Sequence, residues 1–364
     1  MAETGIAPGL SVIGYGIWSA LGPDGPSTIA GVRGQIIGSE TGPFWDPTAG
    51  AHLNHFRVAA HQWWEGPTFL PDLAAPPIEE CLAQVATLPD ALRRPAGEIP
   101  ILMTVAPPDR PGRPGDLEAS MLDGLARKLG RPLPAGSGVI GGGRSGLPHL
   151  LATAARQSAR YPLQILIGVE SLLRQVIAEH YIARGRLLCG ANSSGFTLGE
   201  AASAILVART GTSQGPELAI TGMGTGLEPG RDGGTREQAV TGEGLTQAIR
   251  AALAVTGIPF YDFPALIGDL NGEHFKFKEQ MMAQMRLDRA PPEGHSRRPR
   301  GYLEHWNLIE YAGEIGAALM PAQLAWAFEM GRAGLLPQNR ALCFAGEDDG
   351  RRVALTAEMR GAGP

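Results

Sequence analysis

Residues 10–16 read LSVIGYG, and residues 218–224 read LAITGMG. Both are apolar runs that end in Gly-x-Gly. A short apolar run bounded by glycine is a buried-strand signal. Each copy opens one α/β portion of compatible length. The recurrence predicts an internal duplication, with a first half over residues 1–212 and a second over 213–364.

The pattern outward from these copies supports that division. Further buried strands are expected at Ile101–Val105, Ile165–Ile167, Ala201–Ala208, Ala265–Leu270, Ala341–Phe344 and Val353–Thr356. Helical periodicity appears over Pro77–Leu92, Leu117–Leu129, Leu147–Tyr161, Leu172–Arg184, Leu245–Val255, Phe275–Leu287 and Ile315–Met330. Strands alternating with helices predict an α/β protein with largely buried sheets. Pro/Gly-rich loops are expected at 106–115, 209–216, 229–235 and 289–301.

The bulk composition excludes several classes. The chain has 364 residues, of which 43% are hydrophobic and 18% charged. That balance fits a compact or oligomeric protein rather than a disordered one. A net charge of −5 gives no electrostatic case for nucleic acid. The basic run His295–Arg300 lies in a Pro-rich stretch and reads as a solvated loop. Cys81, Cys189 and Cys343 are odd in number and widely spaced, which indicates neither a disulfide framework nor a zinc site. No basic-then-apolar leader opens the sequence, and no apolar run approaches the ~18 residues of a membrane helix. A cytoplasmic protein without metal or cofactor is the expectation.

The stretch VIGGGRSGL, residues 139–147, has two readings. Gly138 to Ser145 spell G-x-x-x-x-G-R-S, one residue from a phosphate-binding P-loop. Such a loop needs a preceding buried strand and a lysine on the outer phosphates. Here Arg144 replaces the lysine, and the preceding RPLPAGS is a poor strand. The other reading is a nucleophile turn without its nucleophile.

That second reading agrees with the rest of the chain, which resembles the thiolase-like superfamily and most closely its β-ketoacyl-ACP synthases. The opening VIGYGIWSALGPD is similar to that family's first strand and loop. SSGFTLGEAASAILVAR, residues 193–209, keeps Gly195, Phe196, Gly199, Glu200 and Ala202 of the family's Asp-Gly-Phe and Gly-Glu-Gly-Ala pattern, with Ser194 in place of the Asp. ILIGVESLL, GEIGAALMPAQLAWAFEMGRAG, ALCFAG and RVALTAE also match family segments. The resemblance covers nearly the whole chain. It implies two duplicated α/β halves packed as a layered α-β-α-β-α structure.

The family's chemistry uses a cysteine nucleophile at a helix start and two histidines. The resemblance maps the cysteine to Gly143. The first histidine maps to Asn271 in DLNGEHF; thiolases proper carry an Asn-Glu-Ala-Phe turn here, which leaves Asn271 an oxyanion-side role. The second maps to Gly313, or to Glu314 with a one-residue slip. None of the positions keeps the catalytic residue. Ser145 reads as a helix-capping or first-turn hydrogen-bonding residue. Arg144, Ser145, Asn271, His274, Glu314 and Cys343 are the candidates for a residual pocket. Cys343 resembles the thiolase base cysteine, although a strand cysteine is ordinarily a small buried hydrophobe.

Two other segments carry candidates. His52, His55 and His61 lie close together, beside Trp63 and Trp64; a lid or partner-contact segment is the preferred reading over a metal site. Met281, Met282 and Met285 fall at near-helical spacing, with core packing preferred over a partner groove.

The expectation is a catalytically inactive synthase homologue that binds or assembles. The resemblance implies a homodimer or a heterodimer with a paralogous synthase, as chain-length factors form. An acyl-carrier protein or a bacterial secretion effector is a further possible partner. The alternative is an acyltransferase or thioester hydrolase using Cys343 and His274.

Overall fold

The computed structural model describes residues 5–59, 69–235 and 237–361. Its strands are β1 (Leu10–Trp18), β2 (Ser39–Asp46), β3 (Ala51–Phe56), β4 (Ile101–Thr104), β5 (Gly138–Ile140), β6 (Leu163–Ser171), β7 (Leu198–Arg209), β8 (Glu217–Leu227), β9 (Ala265–Ile267), β10 (Glu304–Trp306), β11 (Arg340–Gly346) and β12 (Arg351–Arg360). Its α-helices are α1 (Gly25–Arg33), α2 (Leu70–Gln84), α3 (Leu117–Lys128), α4 (Leu147–Gln157), α5 (Gln175–Ala183), α6 (Glu243–Thr256), α7 (His274–Arg289), α8 (Ile309–Ala312) and α9 (Leu319–Arg332).

The two Gly-x-Gly copies lie in β1 and β8, which meet at the centre of the sheet through Ser11↔Ala219 and Val12↔Leu218. On one side the order is β1-β7-β6-β4-β5, and on the other β8-β12-β11-β9-β10. Strand directions repeat as well. The pairs β1–β7 and β6–β7 are antiparallel and β4–β6 and β4–β5 parallel; their counterparts β8–β12, β11–β12, β9–β11 and β9–β10 behave identically. Even the irregularities coincide. Ile13 is the extra residue where β1 bulges against β7, and Thr221 is the extra residue where β8 bulges against β12. Both precede the first glycine of the repeat. A bulge is a retained local feature rather than a packing accident.

The glycines themselves have a shared steric cause. A Cβ on Gly16 would lie 2.3 Å from the Pro77 carbonyl of α2, and one on Gly224 would lie 2.1 Å from the Ala248 carbonyl of α6. In each half the strand therefore touches a helix backbone directly, which any side chain would prevent.

The core is layered. Leu150, Leu151 and Ala154 of α4 and Leu324, Ala325 and Phe328 of α9 pack with Leu166, Ile205, Cys343 and Leu355 from the facing strands. The outer face of the first half packs on α2 and α3 through Ile78, Met121, Met103 and Leu206. The outer face of the second packs on α6 and α7 through Ile249, Leu287, Phe344 and Ala354. Along β11, Ala341, Cys343 and Ala345 face the central layer while Leu342 and Phe344 face outward, the period-two pattern of a strand buried on both sides. The helix expected over Pro77–Leu92 starts earlier, at Leu70, with a proline in its first turn, where the missing N–H costs nothing. The hairpin β2–β3 was not anticipated; it joins the sheet through His55↔Leu198 and Phe56↔Gly199. We propose that the boundary between the halves falls at 212/213, in the turn from β7 to β8.

Gly224→Ala should lower unfolding free energy by about 2–4 kcal/mol in urea titrations, because backbone must move to admit the methyl group. Gly97→Ala, where no heavy atom lies within 4 Å of an added Cβ, should change it by less than about 0.5 kcal/mol.

Candidate functional site

The site grows from the starts of the two central helices. Gly143 begins a single 3-10 turn that leads into α4. Gly316 begins the corresponding turn into α9. Both adopt left-handed backbone, with φ of 55° and 53°, a region that favours glycine. Each turn presents backbone N–H groups that its own helix leaves free.

A carboxylate from the opposite half accepts from each. Arg144 N–H donates to Glu347 Oε2 at 2.9 Å, and Ala317 N–H donates to Glu170 Oε2 at 2.8 Å. Glu170 lies at the end of β6, and Glu347 directly follows β11, the equivalent strand. A Cβ on Gly143 would fall 2.1 Å from Glu347 Oε2; one on Gly316 would fall 2.1 Å from Glu170 Oε2. The two halves thus cap each other's central helices across the approximate two-fold relation of the repeat. Carboxylates suit this position because the helix start is electropositive.

Two arginines bridge the carboxylates. Arg110 Nε donates to Glu170 at 2.7 Å, its Nη2 to Glu347 at 3.0 Å, and its Nη1 to Asp348 at 3.0 Å and to the Tyr181 hydroxyl at 2.8 Å. Arg144 donates to Glu314 at 2.9 Å, to Asp348 at 2.8 Å and to Glu347 at 3.2 Å. Both side chains are at most 5% exposed. The chain of contacts continues outward. Asn271 Nδ2 donates to Glu314 and to Glu273, each at 3.0 Å. Arg186 grips Glu273 with two bonds of 2.6 and 2.9 Å and also binds Asp232.

The electrostatics follow from these contacts. Burial opposes ionisation of Glu347, but Arg110 and Arg144 outweigh it and hold the carboxyl at about 2. Burial opposes ionisation of Asp348 too, and Arg144, Arg186 and Arg110 hold it well below the carboxylate range. Glu170 moves up, since burial and its neighbour Glu347 outweigh the help from Arg110. Desolvating such groups is costly, and only a completed set of partners offsets the cost.

The expected residual pocket divides in this structure. Arg144, Asn271 and Glu314 meet in the network. Ser145 is buried beside it, yet its Oγ donates to the Gly142 carbonyl at 3.0 Å and so caps no N–H. His274 is exposed at the start of α7. Cys343 is fully buried in the central apolar layer, and burial raises its thiol far above its ordinary range. A core thiol and an exposed imidazole do not form a reacting pair. Gly313, with φ of 75°, faces a ring: an added Cβ would lie 2.4 Å from Phe56 Cδ2. The hairpin β2–β3 supplies that ring.

The remaining candidates resolve simply. β5 is formed by the first residues of the glycine-rich stretch, so a strand does precede it, although a short one. The P-loop reading still fails, because Glu347 occupies the backbone N–H and Arg144 is locked among carboxylates. His55 is buried on β3 against Phe44 and near Glu40 at 3.3 Å. His61, Trp63 and Trp64 lie outside the described residues. No group of metal-ligating side chains occurs among the described residues. Sequence reasoning missed Glu170, Glu347, Asp348 and Arg110. The signal was available: Glu170 lies in the last two residues of β6, and Glu347 directly follows β11, the equivalent strand of the repeat.

Open space at the site has two parts. A cavity of about 40 Å³ lies against Arg110, Glu170 and Leu117. A wider cleft of about 290 Å³ opens directly on the network, lined by Arg110, Tyr181, Asp232 and Asp348 together with His180 and Arg184. The network holds no thiol and no imidazole, and its carboxylates are committed to arginines.

No family model matches the chain, and no curated protein sequence matches it. Solved structures do. A ketosynthase in complex with its chain length factor from Xenorhabdus doucetiae matches at 13% identity and TM-score 0.70, over 96% of this chain and 98% of the other. The ishigamide ketosynthase/chain length factor matches at 17% identity and TM-score 0.64, over 97% and 99%. A ketosynthase from module 6 of the bacillaene synthase of Bacillus subtilis 168 matches at 12% identity and TM-score 0.67, over 98% and 72%.

Gly143→Cys should be destabilised by about 2–4 kcal/mol in denaturant titrations, because its Cβ meets Glu347. Glu347→Gln should cost about 3–5 kcal/mol, since it leaves buried guanidinium charge uncompensated. The pH dependence has a definite sign. Glu347 ionises more readily folded than unfolded, so its contribution is full above the ordinary carboxylate range and lost as pH falls through about 2. Glu200, whose carboxylate accepts from Val58 N–H and the Ser171 hydroxyl, behaves oppositely. Burial pushes it up to about 7, so it lowers stability as pH rises from about 4.5 to about 7. Glu200→Gln should remove that decline in melts recorded across this range. By its duplicated strand order, its layered core and these structural likenesses, the chain has the thiolase-like fold found in ketosynthases and chain length factors.

Proposed function

We propose that this chain is a catalytically inactive ketosynthase-fold protein that acts by binding, as the partner of an active paralogous synthase. One observation carries the reading. A carboxylate oxygen of Glu347 stands 2.1 Å from where a side chain at residue 143 would begin. The position that the resemblance assigns to the acyl-accepting cysteine is therefore without a nucleophile and already filled. Phe56 fills the space at Gly313 in the same way. Losing the members of a catalytic constellation costs many orders of magnitude in rate. The scaffold can persist without its chemistry. A pairing role is supported by structural neighbours that are themselves ketosynthases complexed with chain length factors.

The alternative enzyme reading, an acyltransferase or hydrolase on Cys343 and His274, has against it the burial of one residue and the exposure of the other. Intact-mass spectrometry after incubation with acyl-CoA or acyl-carrier protein separates the two. The protein should gain no acyl mass. An adduct mapped to Cys343, and absent from Cys343→Ala, would establish the enzyme instead. Native mass spectrometry after co-expression with neighbouring genes then tests the pairing. A one-to-one complex with an intact synthase is expected. A homodimer alone, or a complex with secretion components, would contradict it.

A further inference from the structure

Helix α7 is folded inside out. Its buried face is formed by Lys276, Glu279, Gln280, Ala283, Gln284 and Leu287. Its outer face carries Phe277, Met281 and Met285, which are 45%, 53% and 48% exposed. These three follow at i, i+4 and i+8 and so form one stripe. The inversion has a cause beneath the helix. Lys276 binds the buried Asp269, Glu279 receives Arg352 Nε at 2.6 Å, and Gln280 lies 2.7 Å from His305 Nδ1. The inner face is committed to satisfying buried charge. That requirement does not explain why the outer face is apolar, where polar residues would cost nothing.

Charge on the outer face has one sign. Lys278 and Arg289 are exposed between and beyond the apolar residues, and neither takes part in an ion pair among the described residues. The helix's acidic residues are both engaged: Glu279 by Arg352, and Asp288 by Arg300 at 2.9 Å. The protein as a whole is acidic, at −5, so this cationic stripe stands against the overall balance. Two copies docked face to face through α7 would bring like charges together. Methionine side chains repack readily against varied apolar surfaces.

We propose that the outer face of α7 docks an acidic amphipathic helix of a partner protein, with Phe277, Met281 and Met285 as anchors and Lys278 and Arg289 as charge partners. This is helix-on-surface recognition by apolar residues at helical spacing, with flanking charges setting specificity. The surface is separate from the filled catalytic positions and does not depend on how they are read.

The test uses the full chain and fluorescence anisotropy with two labelled helical peptides. One has a Leu face and a Glu face, and the other has Lys in place of Glu. The Glu peptide should bind in preference. Phe277→Ser/Met281→Ser should weaken it at least about tenfold without shifting the melting temperature, since both residues are exposed. Lys278→Glu/Arg289→Glu should reverse the preference toward the Lys peptide. Equal binding of both peptides, binding of neither, or no effect of the substitutions overturns the proposal. Binding to phosphatidylglycerol vesicles but not to peptide would make the face a lipid surface and also overturn it. Self-association lost in Phe277→Ser/Met281→Ser would make it a contact between copies, with the same consequence.

Discussion

Two buried carboxylates, each closing the helix start of the other half, are the constraint on which the site depends. Glu347 binds the turn at Gly143, and Glu170 binds the turn at Gly316. Both turns require glycine, because the carboxylate fills the space of a β-carbon. Arg110 then becomes obligatory, since among the described residues it is the side chain that hydrogen-bonds to both carboxylates. Arg144 completes the neutralisation and carries the network to Glu314 and Asn271. A group buried in this way is costly unless every partner is present. The network is thus a structural unit joining the halves.

The same constraint orders the surrounding elements. The central helices α4 and α9 are held at their starts by charge and along their lengths by apolar packing. Asp269 and Arg352 extend the demand for partners toward α7, which answers with Lys276 and Glu279. On the other side, Phe56 from the hairpin β2–β3 packs against Gly313 and the strand bearing Glu200. Charge in the interior has decided which faces of neighbouring elements are polar, including one helix whose apolar residues lie outside.

Much of this fold was legible in the sequence, and the reason is periodicity. LSVIGYG and LAITGMG are recognisable because the second glycine of each copy is demanded by direct contact of the strand with helix backbone. Buried strands such as β4, β6 and β11 are short apolar runs and were visible for the same reason. β2, β3 and β10 were not, because SETGPFWD and EHW are largely half-buried or exposed and AHLNHF alternates poorly. Gly143 and Gly313, the positions the resemblance pairs with the family's nucleophile and second histidine, could be located by motif, but the side chains that pack against them could not. Glu347 and Phe56 come from distant segments, and only tertiary contact reveals them. The methionines of α7 misled for an instructive reason: helical spacing locates a stripe without saying which side of the helix faces the core.

The most direct measurement is the ionisation of Glu347 itself, read as the carboxyl carbon chemical shift in selectively labelled protein during an acid titration. The interlocked arrangement predicts a carboxylate that stays ionised to about pH 3 and titrates near 2 while the fold persists. A midpoint at or above the ordinary glutamate value of about 4.3 would contradict it, because Arg110 and Arg144 would then not outweigh the burial of the carboxylate.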